Sequence, residues 1–220
     1  MFIAHIGMGL AAKRVAPKVP LGVLLVGGEA LDVLCGVLMV AGVERMRAAP
    51  GATAMTPLEF IYYPWSHGLF MSVVWSVLAA LIAARAFRDR RSGVVLGLLV
   101  FSHWILDWIS HQPDLPLLWD GSFKAGLGLW NSVAGTMIAE FGIFLGGLAL
   151  YVYTTTARDK TGIWSLAVLA ILFVGLFLLN HYGPPPPVDI SSRLLALPIL
   201  IMAVLWPWGN WIERHRGAVT

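Results

Sequence analysis

The sequence predicts an all-α, polytopic transmembrane helical bundle of about six spans plus a short N-terminal half-helix. Two observations carry this prediction and a third orients it. Charged residues make up 12% of the chain and hydrophobic residues 58%, where a soluble domain has about 25% charged and about 45–50% apolar residues. The apolar residues gather in blocks of about twenty, the length that crosses a hydrocarbon core as helix. Basic residues collect in alternate connections between these blocks, as they do in membrane proteins with a fixed orientation.

The opening residues 2–12 are apolar but extend only about 16 Å as helix. They are too short to cross and read as a half-helix, a re-entrant segment or an interfacial one. Lys13 and Arg14 follow this stretch, the reverse of the order in a signal peptide. Residues 20–43 make the first full span. Residues 66–86, 93–111, 130–153, 162–181 and 192–212 follow. The chain shows no internal repeat and reads as a single transmembrane domain over 1–220. Residues 1–150 carry the polar cluster and 151–220 add two further spans. Cys35 is the one cysteine, so no intramolecular disulfide is possible, and it reads as a small buried hydrophobe.

Lys13, Arg14, Lys18, Arg85, Arg88, Arg90, Arg91, Arg158, Lys160, Arg214 and Arg216 fall on one face by alternation. Arg45, Arg47, Lys124 and Arg193 fall on the other. The positive-inside bias assigns the first group, and the carboxyl terminus, to the cytoplasm. The formal charge of +3 is therefore topological and points to no nucleic acid. Loops 44–65, 112–129 and 182–191 face outward, and "GPPPP" at 183–187 reads as a stiff polyproline connector.

Ionisable residues inside the spans carry the chemistry, because such groups are costly in lipid and turn toward the bundle interior. Glu29 and Asp32 share a face of the first span, three residues apart. His67 opens the second. His103, Asp107 and His111 follow at steps of four, within about 80° of helical arc. His103 and His111 are then about 12 Å apart along the axis, too far to share an ion, whereas adjacent members at about 6 Å can share one. Pro113 should end this helix near Gln112 and turn Asp114 back toward the same face. Glu140 lies in the fourth span, behind "WNS" at 130–132, where Asn131 can donate hydrogen bonds. His181 and His215 read as interfacial. Asp32, His67, His103, Asp107 and His111 together are more metal-ligand chemistry than helix packing needs. They are consistent with a polar cavity opening outward or with relay groups running inward.

At these residues the chain resembles the bacterial membrane-bound metal-dependent hydrolase family. The resemblance rests on His5 in "AHIGMG", the acid in "EALD", Ser66 and His67 in "YYPWSHGLF", and the "SHxxLDxxxH" pattern of "SHWILDWISHQPDLPL". The branch with "HxPDLPL", "GLGLWNS" and a following acid matches Asp114, Asn131 and Glu140. It implies a bacterial cytoplasmic (inner) membrane protein and a metal site of His5, Asp32, His67, His103 and Asp107, with His111 and Asp114 close by. This chain has "EALD" where the better-characterised branch has "PDxD", and a single His67 where that branch has "HRxxTHS".

Three functions compete. In a metal-dependent hydrolase, Asp32, His67, His103 and Asp107 hold a divalent ion, zinc before manganese or iron because imidazole is present. Glu29 or Glu140 takes the proton as the catalytic carboxylate, and His111, Asp114 and Asn131 line the substrate entrance. The partner is then a membrane lipid or other amphiphile with an ester or phosphoester. In a transporter or permease, Glu29, Asp32 and Glu140 are coupling groups. In a non-catalytic scaffold, the stripe packs helices.

Overall fold

A computed structural model describes residues 1–119, 121–184 and 196–218. Helix α1 (Ile3–Val15) is followed by α2 (Leu21–Gly28) and α3 (Ala30–Val40), then by a hairpin of β1 (Arg45–Ala48) and β2 (Leu58–Tyr62). A four-residue helix α4 (Pro64–His67) leads into the helical hairpin α5 (Leu69–Ala86) and α6 (Arg90–Ser110). Strands β3 (Leu115–Pro116) and β4 (Lys124–Ala125) pair antiparallel, and a 3-10 turn (Leu129–Asn131) precedes α7 (Val133–Thr154). Strand β5 (Thr155–Ala157), α8 (Lys160–Tyr182), α9 (Leu197–Arg214) and β6 (Arg216–Ala218) complete the described chain, β5 pairing with β6.

Four of these helices, α5, α6, α7 and α8, are long and apolar enough to cross a membrane. Helices α2 and α3 make a fifth candidate if their 61° bend is one broken span. Among the described residues the expected count of six is therefore not confirmed. The first expected span, 20–43, divides at Glu29, directly after Gly27 and Gly28, which lower the cost of leaving the helix. The last, 192–212, begins outside the described residues, and its helix α9 carries Pro207, Asn210, Glu213 and Arg214 in its second half. Arg193 and the last three prolines of "GPPPP" also lie outside the described residues. The loop 44–65 holds a β-hairpin, which its Pro- and Ala-rich middle did not suggest.

Helix α1 resolves the open reading of residues 2–12. It spans 13 residues, about 20 Å, and runs buried inside the bundle against α7, α2 and α6. Small residues make that possible. A Cβ on Gly147 would stand 2.0 Å from the Gly7 carbonyl oxygen, so the backbones of α1 and α7 touch. Such contact is how helices gain packing where lipid removes the hydrophobic drive between them. Ile3, Ile6 and Leu10 of α1 fill a core with Leu21, Leu25, Phe144, Leu169, Phe173 and Leu205. Outward, α5 exposes Phe70, Val77, Leu81 and Ile82, and α8 exposes Ile163, Ile171 and Leu179. These apolar belts suit contact with acyl chains rather than water.

Helix starts are set by caps. Asp89 accepts from the Ser92 amide at 2.8 Å and hydroxyl at 2.6 Å, Ser132 from Gly135 N–H at 3.1 Å, and Asp159 from Gly162 N–H at 2.9 Å. The basic end of the bundle is tied together by Lys18–Asp89 at 3.0 Å, by a part-buried Lys13–Glu213 pair and by β5–β6.

Two outcomes are expected. Gly147→Ala should cost about 1–3 kcal/mol, because backbone must move to admit the methyl, and appear as a lowered thermal midpoint in detergent. A stability equal to the parent's would show that α1 and α7 are not in contact. The Ser92 hydroxyl and amide, aided by Lys18, hold the partly exposed Asp89 carboxyl down at about 2. Its stabilising contribution is present above the ordinary carboxylate range and is lost as pH falls toward 2. The deficit of Asp89→Ala relative to the parent should therefore shrink across that interval.

Candidate metal centre

Four helices bring five of the predicted ligands together. Helix α1 supplies His5, α3 Asp32, α4 His67, and α6 both His103 and Asp107. His5, His67, His103 and Asp107 are buried. Asp32 is 34% exposed, toward an adjoining cavity, so the centre is reachable.

The ring tautomers follow from the outer partners. His103 Nδ1 lies 2.8 Å from the Gly28 carbonyl, which can only accept, so Nδ1 carries the proton. That carbonyl is available because the helix breaks after Gly28, leaving terminal carbonyls without partners in the next turn. His67 Nδ1 lies 2.7 Å from Ser66 Oγ, and Ser66 Oγ donates to Glu44 at 2.6 Å. The hydroxyl proton being spent on Glu44, Ser66 accepts from His67. Glu44 is itself fixed by the Trp65 and Ser66 amides at 2.9 and 2.8 Å. Both rings therefore turn an Nε2 lone pair inward.

Those lone pairs meet two carboxylates. His67 Nε2 is 3.3 Å from Asp32 Oδ1 and 3.4 Å from Asp107 Oδ2. His103 Nε2 is 3.6 and 3.1 Å from the same atoms. Yet His103 Nε2, fully buried, has no hydrogen-bond partner, so the oxygens stand beside the lone pair rather than in line with it. Ligands at about 2.0–2.1 Å around a tetrahedral ion are about 3.3–3.4 Å apart, and Asp32, His67 and His103 form one group compact enough for that spacing. The cluster can hold a metal ion. Two imidazoles and a carboxylate fit a borderline ion better than magnesium or calcium, which prefer oxygen throughout.

His5 stands one layer back. Its ring stacks on His103 with centroids 3.7 Å apart, and its Nε2 is 3.2 Å from Asp107 Oδ1. The Met1 amino group also donates to that oxygen. His5, His103 and Asp107 form a second group compact enough for an ion, and His103 is common to both.

The remaining predicted residues separate. Glu140 accepts from the Phe2 and Ala4 amides at 2.8 and 2.9 Å, capping α1 from α7, and also lines the cavity. Glu29 is buried at the α2–α3 break with one oxygen unpaired, outside the cavity lining. His111 does not continue the helical stripe. Helix α6 ends at Ser110, earlier than the expected Gln112, and His111 turns extended. Its Nδ1 lies 3.0 Å from Asp114 Oδ1, which also accepts from Tyr63 Oη at 2.7 Å, and its ring packs 4.2 Å from Trp130. His111 thus forms a separate Asp–His pair at the cavity wall. Asn131 is exposed and outside the lining, and Ser132 is the residue that caps α7. Glu44 and Tyr63 escaped the sequence reading. Glu44 lies just past the first expected span and 22 positions before Ser66, a separation that carries no sequence signal of their contact.

The cavity has a volume of about 260 Å³. Asp32, His67, Asp107, Glu140 and His111 supply its polar side, and Met39, Met46, Leu58, Phe60, Trp130 and Phe177 its apolar walls. Met46, Leu58 and Phe60 come from the β1–β2 hairpin.

No family model, curated protein or solved structure matches this chain.

Two substitutions separate ligands from their supports. Asp107→Ala should abolish stoichiometric divalent metal in detergent-purified protein, read by mass spectrometry. Glu44→Gln should leave a metal site weakened about 10–100-fold, the usual effect of losing a group that orients a ligand. Metal retained at parental affinity in Asp107→Ala would refute the assignment.

Proposed function

We propose that this chain is an integral-membrane metal-dependent hydrolase of the bacterial family it resembles, acting on a lipid or amphiphilic ester, with a phosphoester preferred. The observation that carries the reading is the His/Asp cluster, whose Asp32, His67 and Asp107 line a cavity with largely apolar walls. A hydrophilic substrate would gain nothing from walls of Met, Leu, Phe and Trp, whereas an amphiphile can lay its chain there with its polar bond over the cluster. At about 260 Å³ the cavity is slightly below the usual range of about 300–1,000 Å³ for small-molecule sites. It suits a headgroup and the first part of a chain, the rest lying in lipid.

In this reading Asp32, His67, His103 and Asp107 hold the metal, zinc first, with manganese or iron as the alternatives. A divalent ion there supplies Lewis acidity toward the scissile group and acidifies water. His5 fixes Asp107. His111, oriented through Nδ1 by Asp114 and Tyr63, has Nε2 left to carry a proton to or from the substrate. Glu140, with both oxygens already accepting amides, orients α1, and Glu29 supports the break that frees the Gly28 carbonyl. The basic end of the bundle lies in the cytoplasm and the cavity opens outward, in the bacterial inner membrane.

One observation favours a transporter instead. A span broken beside a buried acid, as at Glu29, is a feature of substrate pathways.

Purified protein should release phosphate or headgroup from lipids, lose that activity on metal removal, and lose about 10²–10⁴-fold in kcat in His111→Ala, the range for a general acid–base group. Glu140→Gln should retain most activity if it folds. Turnover indifferent to chelation and to Asp107→Asn would overturn the hydrolase reading. Substrate uptake into proteoliposomes driven by an ion gradient would favour the transporter.

A further inference from the structure

The end of the bundle away from the cavity holds a second, larger hollow of about 790 Å³. It lies among the carboxyl ends of α1 and α7, the amino end of α6 and the β5–β6 ladder. His5 and Arg14 sit near opposite ends of α1, about 13 Å apart along its axis, so hollow and metal centre are distinct. Five basic side chains line it, Lys13, Arg14, Arg91, Arg158 and Arg216, against one acid, Glu213, leaving an excess of four positive charges (5 − 1).

Their duties differ. Lys13 is consumed by Glu213 and by the Pro17 and Val19 carbonyls. Arg216 is consumed by Thr155 and the Gly162 carbonyl and lies over the Tyr151 ring. The single acid is also used twice, by Lys13 and by the Leu21 amide. Arg14, Arg91 and Arg158 are exposed, and among the described residues their side chains make no hydrogen bond or ion pair. The hollow is therefore built by one set of cations and left charged by another. Three guanidiniums around one space present forked donors, the arrangement that matches phosphate oxygens. Val15 and Tyr153, both exposed, also line it, giving the charged space an apolar edge. Basic pockets between spanning helices are suited to anionic headgroups.

We propose that this hollow binds a phosphate group, carried by an anionic lipid headgroup or free in solution, through Arg14, Arg91 and Arg158. The assignment is independent of what the metal centre does.

The test uses full-length protein in phosphatidylcholine nanodiscs, with phosphatidylglycerol or inorganic phosphate added and binding read by native mass spectrometry and calorimetry. Arg14→Gln and Arg158→Gln together should weaken binding about tenfold or more, since each cation near the surface contributes about 1 kcal/mol. Arg91→Lys, which keeps charge but loses the fork, should weaken it less. Lys124→Gln, at the other end of the chain's fold, is the control and should change nothing. Should the double variant misfold, Arg91→Gln alone carries the comparison. Arginine-dependent binding of phosphatidylglycerol without inorganic phosphate identifies the lipid source, and arginine-dependent binding of inorganic phosphate alone identifies the free anion. No binding of either, or equal weakening by Lys124→Gln, overturns the proposal and leaves the arginines as charges that offset helix ends.

Discussion

An ionised carboxylate inside an apolar bundle must be matched where it sits, because neither water nor lipid will do it. Asp107 is the point at which this chain meets that constraint. The Met1 amino group donates to one of its oxygens and His5 Nε2 lies beside the same atom, while the inward Nε2 lone pairs of His67 and His103 leave the other oxygen to be matched by a bound cation. Each partner arrives on an element whose position needs its own explanation: a half-helix threaded through the core, a four-residue helix before α5, and a stripe on α6. Around that contact the supports are also polar and fixed. Gly28 and the Ser66–Glu44 pair each hold one imidazole by the nitrogen that faces away from the centre. The bend between α2 and α3 is thus a source of hydrogen bonding rather than a defect, and the hairpin's neighbour Glu44 serves the site as much as any residue facing the cavity.

The second constraint is space. For His5 to reach Asp107, α1 must run where a bulky helix would not fit. Gly7 against Gly147 lets it lie on α7, and Glu140 accepts its first free amides. Glycine contacts and the carboxylate cap act at the two levels a buried helix terminus demands, close packing and satisfied donors. One residue, Glu140, therefore belongs to the fold and to the cavity lining together.

The helical, apolar character of the chain was legible in composition and block length, which depend on summed properties and survive local exceptions. The stripe of His103 and Asp107 was legible because helical spacing is fixed. His111 was not, since whether a helix ends at Ser110 or Gln112 depends on the turn that Pro113, Asp114 and Tyr63 make together. Residues 2–12 could be recognised as too short to cross, but not as central, because centrality rests on which backbones approach at Gly7. Residues 20–43 had the length of a span, yet "GGE" permitted a break whose direction only the surrounding helices decide. Glu44 illustrates the general limit. Its carboxylate means little in a loop and a good deal once β1 and α4 bring it against Ser66, and that juxtaposition is tertiary.

The burial of α1 has a consequence for how the protein is made. A segment of 13 residues is too short to be retained in a bilayer as a span on its own, and its chief packing partner, α7, leaves the ribosome more than a hundred residues later. Until α7 is in place, nothing offers Glu140 to the free amides of α1 or Gly147 to its backbone. Completion of the Asp107 cluster is therefore a late event of biogenesis.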